Sequence, residues 1–210
     1  LAFKARNDQW KVWKLNKDIT FYNNSPLLST ADGPYFLGQA KYLEENKPAS
    51  LQLEKRFFPE YDQEIGNYKI NNEFSMFNIS LLPISINYFS HFFKNDLLLT
   101  ANKLIPITAL ITAILIAVFF IILGFGYEGV IAGLGASLSQ SIYVRTSIGR
   151  VDTDLLNIGL FYLILGLILA SIKVEHNRNK LALICMAGFV NFLFAWWYQH
   201  PGFLVPFIFT

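Results

Sequence analysis

The sequence is poor in charge and almost without cysteine. Of its 210 residues 15% are charged and 53% hydrophobic, whereas an ordinary soluble domain carries about 25% charged residues. The single cysteine, Cys185, lies in an apolar run, so an internal disulfide is excluded and the redox compartment stays open. No block of Lys or Arg is present that would neutralise a row of phosphates, so no nucleic-acid partner is expected. Also missing are a Gly-rich phosphate loop, a Ser-His-Asp arrangement and any Cys/His spacing of a zinc site. Internal repeats and low-complexity tracts are absent as well.

The charge that is present is unevenly spread. Residues 1–103 hold 12 of the 17 basic and 11 of the 15 acidic residues. Beyond Lys103 the chain is apolar except for short charged clusters. A bilayer core about 30 Å thick needs ~20 helical residues, and 104–124 has 21 residues without a charge. Further spans are expected at about 129–144, 155–172 and 181–197, with the start of another at 203. Gly129-Val-Ile-Ala-Gly133 and Ala132-Gly-Leu-Gly-Ala136 are small-xxx-small patterns that permit close helix packing. Pro106 is read as a first-turn proline, where its missing N–H costs nothing. The expected class is therefore an all-α, polytopic transmembrane helix bundle, preceded by a large, polar first loop over 1–103.

Within that polar half, residues 34–46 read as a helix with Pro34 in its first turn. Residues 47–73 read as an irregular loop, and 74–93 as an interfacial amphipathic segment. Counting spans puts 1–103, 145–154 and 198–202 on one side of the membrane. The loops 125–128 and 173–180 fall on the other. Short-loop cations number two on the first side (Arg145, Arg150) and three on the second (Lys173, Arg178, Lys180), too even to orient the chain. The chain starts at Leu1 in apolar residues and stops in another apolar run, so it reads as a fragment of a longer protein.

One cluster has chemical potential. Residues 144–155 read Val-Arg-Thr-Ser-Ile-Gly-Arg-Val-Asp-Thr-Asp-Leu. In an extended segment the i, i+2 spacing turns Asp152 and Asp154 to one side. Two such carboxylates are half of a site for a hard cation such as Mg²⁺ or Mn²⁺. Arg145 and Arg150 add charge suited to phosphate. A competing reading keeps both aspartates as caps and dipole partners of the following helix, with the arginines at lipid headgroups. Asp32, in Asp-Gly-Pro-Tyr-Phe, has turn chemistry and the same two readings; span counting allows it on the same side as Asp152 and Asp154. Trp196-Trp197-Tyr198 reads as an interfacial aromatic belt. His91 and His176 read as surface residues.

Taken in order, these motifs resemble the catalytic subunit of oligosaccharyltransferase, especially its single-subunit bacterial and archaeal forms. The carriers are Asp32 in Asp-Gly-Pro-Tyr-Phe, Arg145-Thr-x-x-Gly-x-x-Asp-Thr-Asp154, and Trp-Trp-Tyr at 196–198, over about 21–210. The resemblance implies a partial GT-C bundle with an extracytoplasmic first loop. It implies a membrane glycosyltransferase moving an oligosaccharide from a polyprenyl or dolichyl (pyro)phosphate carrier to asparagine in Asn-x-Ser/Thr sequons. The partners implied are the lipid-linked donor, an acceptor polypeptide and membrane lipids, with Mn²⁺ or Mg²⁺ as cofactor. Asp32, Asp152 and Asp154 match the family's metal-binding and metal-proximal carboxylates, and Arg145 an arginine that organises the site. The bacterial inner membrane, or the archaeal plasma membrane or endoplasmic reticulum, is implied, with the site on the periplasmic or lumenal side. The family's later acidic residue and its Trp-Trp-Asp motif are not within these 210 residues, so this segment alone is expected to be inactive. Two alternatives remain open: another GT-C transferase using lipid-phosphate sugar, and a non-enzymatic transport or assembly subunit. Mid-span ionisable groups, which transport would call for, are absent from the expected spans.

Overall fold

The computed structural model describes residues 1–22, 25–30, 32–45, 61–62, 67–68 and 79–198. The expected span start at 203, the turn at 199–202 and most of 47–78 lie outside them. The described residues form α1 (Ala2–Leu15), α2 (Lys17–Thr20), α3 (Gly33–Glu44), α4 (Leu81–Ser90), α5 (Leu97–Ile122), α6 (Gly126–Leu138), α7 (Gln140–Arg145), α8 (Asp154–Lys173) and α9 (Asn177–Tyr198), with a 3₁₀ turn at His91–Phe93. Two antiparallel pairings are each two residues long, 21–22 with 25–26 and 61–62 with 67–68, too short to build a sheet. The chain is an all-α, polytopic bundle.

Among the described residues, α5, α8 and α9 are long and apolar enough to cross a membrane. Their outward residues, such as Ile114, Ile172, Leu181 and Phe189, are exposed and apolar; a bilayer solvates such a surface. α5 starts earlier than the charge-free run predicts. Asp96 accepts the Leu99 N–H at 2.8 Å and caps the helix there. Pro106 is thus inside α5 rather than in its first turn, at the loss of one i→i−4 bond. The polar half and the apolar half share this one helix.

The expected span at 129–144 is two helices, α6 and α7, broken at Ser139, whose backbone turns extended. α6 has 13 residues, about 20 Å of helix at 1.5 Å each. Gly129 and Gly133 face α5. A Cβ at Gly133 would lie 2.5 Å from the Ala113 carbonyl oxygen, and one at Gly129 would lie 2.8 Å from that of Ala117. Only glycine allows this approach. Gly135, by contrast, faces open space. α8 packs beside α5, and the Thr112 hydroxyl donates to the Leu155 carbonyl at 2.6 Å.

The main core joins α1, α3, α4, α5, the loop before α8, the first turn of α8 and the end of α9. Trp10, Phe36, Ile86, Ile105, Val151 and Trp197 are among its buried members. The loop therefore turns its apolar residues inward and keeps its charged ones at the end of the bundle.

Candidate functional site

The loop 146–153 is held by side chains and backbone from four directions. Gln9 of α1 accepts the Ile148 N–H at 2.9 Å. Asn102 of α5 accepts the Gly149 N–H at 2.8 Å. The Ser29 N–H donates to the Gly149 carbonyl at 2.9 Å, and the Thr30 hydroxyl to the Val151 carbonyl at 3.3 Å. The indole N–H of Trp197 in α9 donates to the Thr153 carbonyl. Gly149 has φ +82°, and a Cβ on it would lie 2.5 Å from the Trp13 ring. An L side chain fits neither the conformation nor the space. Buried backbone groups need partners, and here the partners fix the course of the loop.

The charges sit on this frame. Asp154 begins α8, and its carboxylate is paired with the Arg145 guanidinium. Arg150 Nη2 is 3.8 Å from Oδ2 of both Asp152 and Asp154. Both aspartates therefore lie near one guanidinium, although Thr153 between them is helical (φ −68°, ψ −18°) rather than the extended residue that the i, i+2 spacing requires. Asp152 is the more buried, with its side chain 13% exposed. Burial raises its pKa above the usual carboxylate range, and the charges of Asp154 and Asp32 add to the rise. Backbone N–H groups of Asp154 and Thr153 oppose it. Neither aspartate caps α8: its N-cap is Thr153 with no side-chain capping bond, and Asp154 sits in the first turn, where a negative charge suits the helix dipole.

Asp32 occupies the N-cap position of α3, but its side chain makes no capping hydrogen bond. Its charge is felt at Asp152, 120 residues further on. The fold thus brings Asp32, Asp152, Asp154 and Arg145 to one end of the bundle. Arg150 lies there as well.

Three carboxylates and two guanidiniums thus meet here among the described residues. The oxygen donors suit a hard divalent ion. Among the described residues, no three acidic, His or Cys side chains converge closely enough to hold a metal ion. Asp154 is engaged by Arg145 and Arg150, and Asp152 also lies 3.8 Å from Arg150.

Beside these charges opens a cavity of about 510 Å³ between α8 and α9. Arg145, Asp154 and Asn157 line it together with Phe161, Tyr162 and Phe194. Polar residues within one turn of the head of α8 give way to aromatic ones deeper along it. Such a cavity suits an amphiphile with an anionic head.

Sequence reasoning missed several holders of this site. Trp197 is buried and bonds the loop rather than forming a belt; Trp196 donates to the Ile79 carbonyl at 3.0 Å. Gln9 and Asn102 carry no local motif. The only signal at Asn102 is an amide near the start of an apolar run.

No curated protein matches the chain. The family model described as oligosaccharyl transferase STT3, N-terminal, matches residues 71–210. The match includes the charged loop and the tryptophan pair but stops short of Asp32, which the fold brings in. With two thirds of its length matched, and its charged loop built into the head of a membrane helix, the chain belongs to the oligosaccharyl transferase STT3 family.

Proposed function

We propose that this chain forms the donor- and metal-binding part of a multi-pass glycosyltransferase that moves an oligosaccharide from a polyprenyl or dolichyl (pyro)phosphate to asparagine in Asn-x-Ser/Thr sequons. The observation that carries the proposal is the half-buried Asp152, flanked by Asp154, Asp32 and Arg150, beside the cavity at Arg145.

Asparagine's amide nitrogen is a poor nucleophile, because its lone pair is delocalised into the carbonyl. Carboxylates that accept its N–H bonds weaken this conjugation and orient the nitrogen. Asp32 and Asp152 have the chemistry and the location for that work. They would also hold Mn²⁺ or Mg²⁺, which offsets charge building on the departing phosphate when bound. Asp154 keeps Arg145 and Arg150 directed at the same spot. A guanidinium matches phosphate oxygens in a fork. The aromatic walls along α8 and α9 suit the isoprenoid end of the donor. The site faces the periplasm or lumen, and the membrane is the bacterial inner membrane or its archaeal or endoplasmic reticulum counterpart.

The test is glycopeptide formation by the natural protein carrying this sequence, given lipid-linked oligosaccharide, Mn²⁺ and a sequon peptide. Transfer is expected to stop on chelation. It should fall on the order of 10²-fold or more in Asp152→Ala and in Asp32→Ala, as when other preorganised polar groups are removed. Retained transfer by Asp152→Ala at normal membrane abundance overturns the ligand assignment. Transfer to a lipid or to a Ser/Thr peptide in place of the sequon points to another lipid-phosphate-sugar transferase.

A further inference from the structure

Arg6 is an arginine with no exposed surface and no described carboxylate partner. It lies on the face of α1 that also buries Ala2 and Trp10. Burying an unpaired guanidinium is costly unless its N–H groups are met. Here they are. Nη1 donates to the Ser137 carbonyl at 2.9 Å. Nε donates to the Thr146 carbonyl at 3.3 Å and to its hydroxyl at 3.1 Å, and Nη2 donates to the same hydroxyl. The guanidinium lies over the Tyr143 ring, 4.5 Å from its centroid.

These acceptors are not arbitrary. In an unbroken helix the Ser137 carbonyl would accept the N–H of residue 141. The break at Ser139 leaves it open. Thr146 is the C-cap of α7, where carbonyls are again left over. Arg6 thus meets the free carbonyls at the ends of two successive helices, where a cation also suits the helix dipole. α7 has six residues, far below what holds a helix together alone. Arg145 is its last residue, and its half-exposed side chain reaches Asp154. The direction of Arg145 therefore depends on what grips α7 at both ends.

We propose that Arg6 is a positioning residue: it clamps α7 between Ser137 and Thr146 and so aims Arg145 at Asp154. The clamp stands on geometry; its catalytic consequence rests on the reading of Arg145 as part of a glycan-transfer site. Lysine is a poor substitute, because one ammonium cannot span acceptors at both ends of α7 as a planar fork does.

Two measurements test this on the natural protein carrying this sequence, purified in detergent. The first is brief trypsin digestion, with cleavage after Arg145 and after Lys173 quantified by mass spectrometry. Arg6→Met should raise cleavage after Arg145 on the order of tenfold, through local opening, and leave Lys173 unchanged. Arg6→Lys should fall between wild type and Arg6→Met. Thr146→Val keeps Arg6 and removes one acceptor, so it should give a smaller rise and remains informative if Arg6→Met does not fold. Equal cleavage after Arg145 in all variants, or an equal rise at both sites, overturns the clamp. The second is a kinetic cycle. Arg6→Met should lower kcat on the order of 10²-fold, the scale of a small misplacement, with the peptide KM within about twofold. Adding it to Arg145→Ala should cost no more than about twofold beyond Arg145→Ala alone, because the two act through one path. Additive losses overturn the positioning role. If wild type transfers no glycan to any sequon peptide, the functional reading fails, and cleavage still decides the clamp.

Discussion

Asp152 and Asp154 are two residues apart and do different work. Asp154 is exposed enough to meet Arg145 and is also reached by Arg150. Asp152 is deeper and has its pKa raised first by burial and then by its acidic neighbours. The sign of that shift makes a prediction. A carboxyl whose pKa is raised on folding contributes stability below its unfolded pKa and loses it as pH rises through the folded pKa. Metal-free protein should therefore gain thermal stability as pH falls through a window just above the ordinary carboxylate range. Asp152→Asn should flatten that part of the profile. Metal binding has the opposite slope, since protons compete for the ligand; Mn²⁺ affinity should weaken over the same window. A profile identical in wild type and Asp152→Asn would show that burial at this carboxylate does not govern the slope. The charged motif was legible in the sequence because its residues are contiguous. Which carboxylate is buried was not legible, because burial depends on α1, α3 and α9 closing around the loop.

At the scale of elements, the α5–α6 contact depends on two glycines and the α6–α7 break on one serine. Gly133→Ala would push a Cβ into the Ala113 carbonyl. It should destabilise the bundle by about 1–3 kcal/mol, as overpacking does. Gly135→Ala, with open space around it, should stay within about 0.5 kcal/mol or gain slightly from helix propensity. Unfolding in a graded denaturing detergent would read both, and equal effects would contradict the packing. The glycine spacing pointed to this contact from the sequence. The break at Ser139 could not be read there, because serine is common inside helices and the group that meets the freed carbonyl is Arg6, 131 residues away. The same cause misplaces the start of α5. Hydropathy marks where charge ends, but the cap at Asp96 marks where the helix begins.

At the scale of the whole molecule, one end gathers Arg6, Asp32, the loop 146–153 and Trp197. At the other end Lys173 Nζ donates to the Leu123 carbonyl at 3.2 Å. The proposed orientation predicts that Lys17→Cys, in a Cys185→Ser background, reacts with an impermeant maleimide from the periplasmic or lumenal side. His176→Cys should react only after the membrane is opened; the reverse pattern would invert the assignment. Removing Cys185 first is necessary because it is exposed on α9. By itself the sequence determined the membrane-embedded, all-α character and the charged loop, because hydropathy and charge are properties of contiguous stretches. Only the tertiary structure decided that Trp197 holds the loop and that Arg6 meets the carbonyls at the broken helix. Those contacts join residues 44 to 140 positions apart, and a hydrogen-bond partner at that separation is chosen by packing rather than by any local pattern.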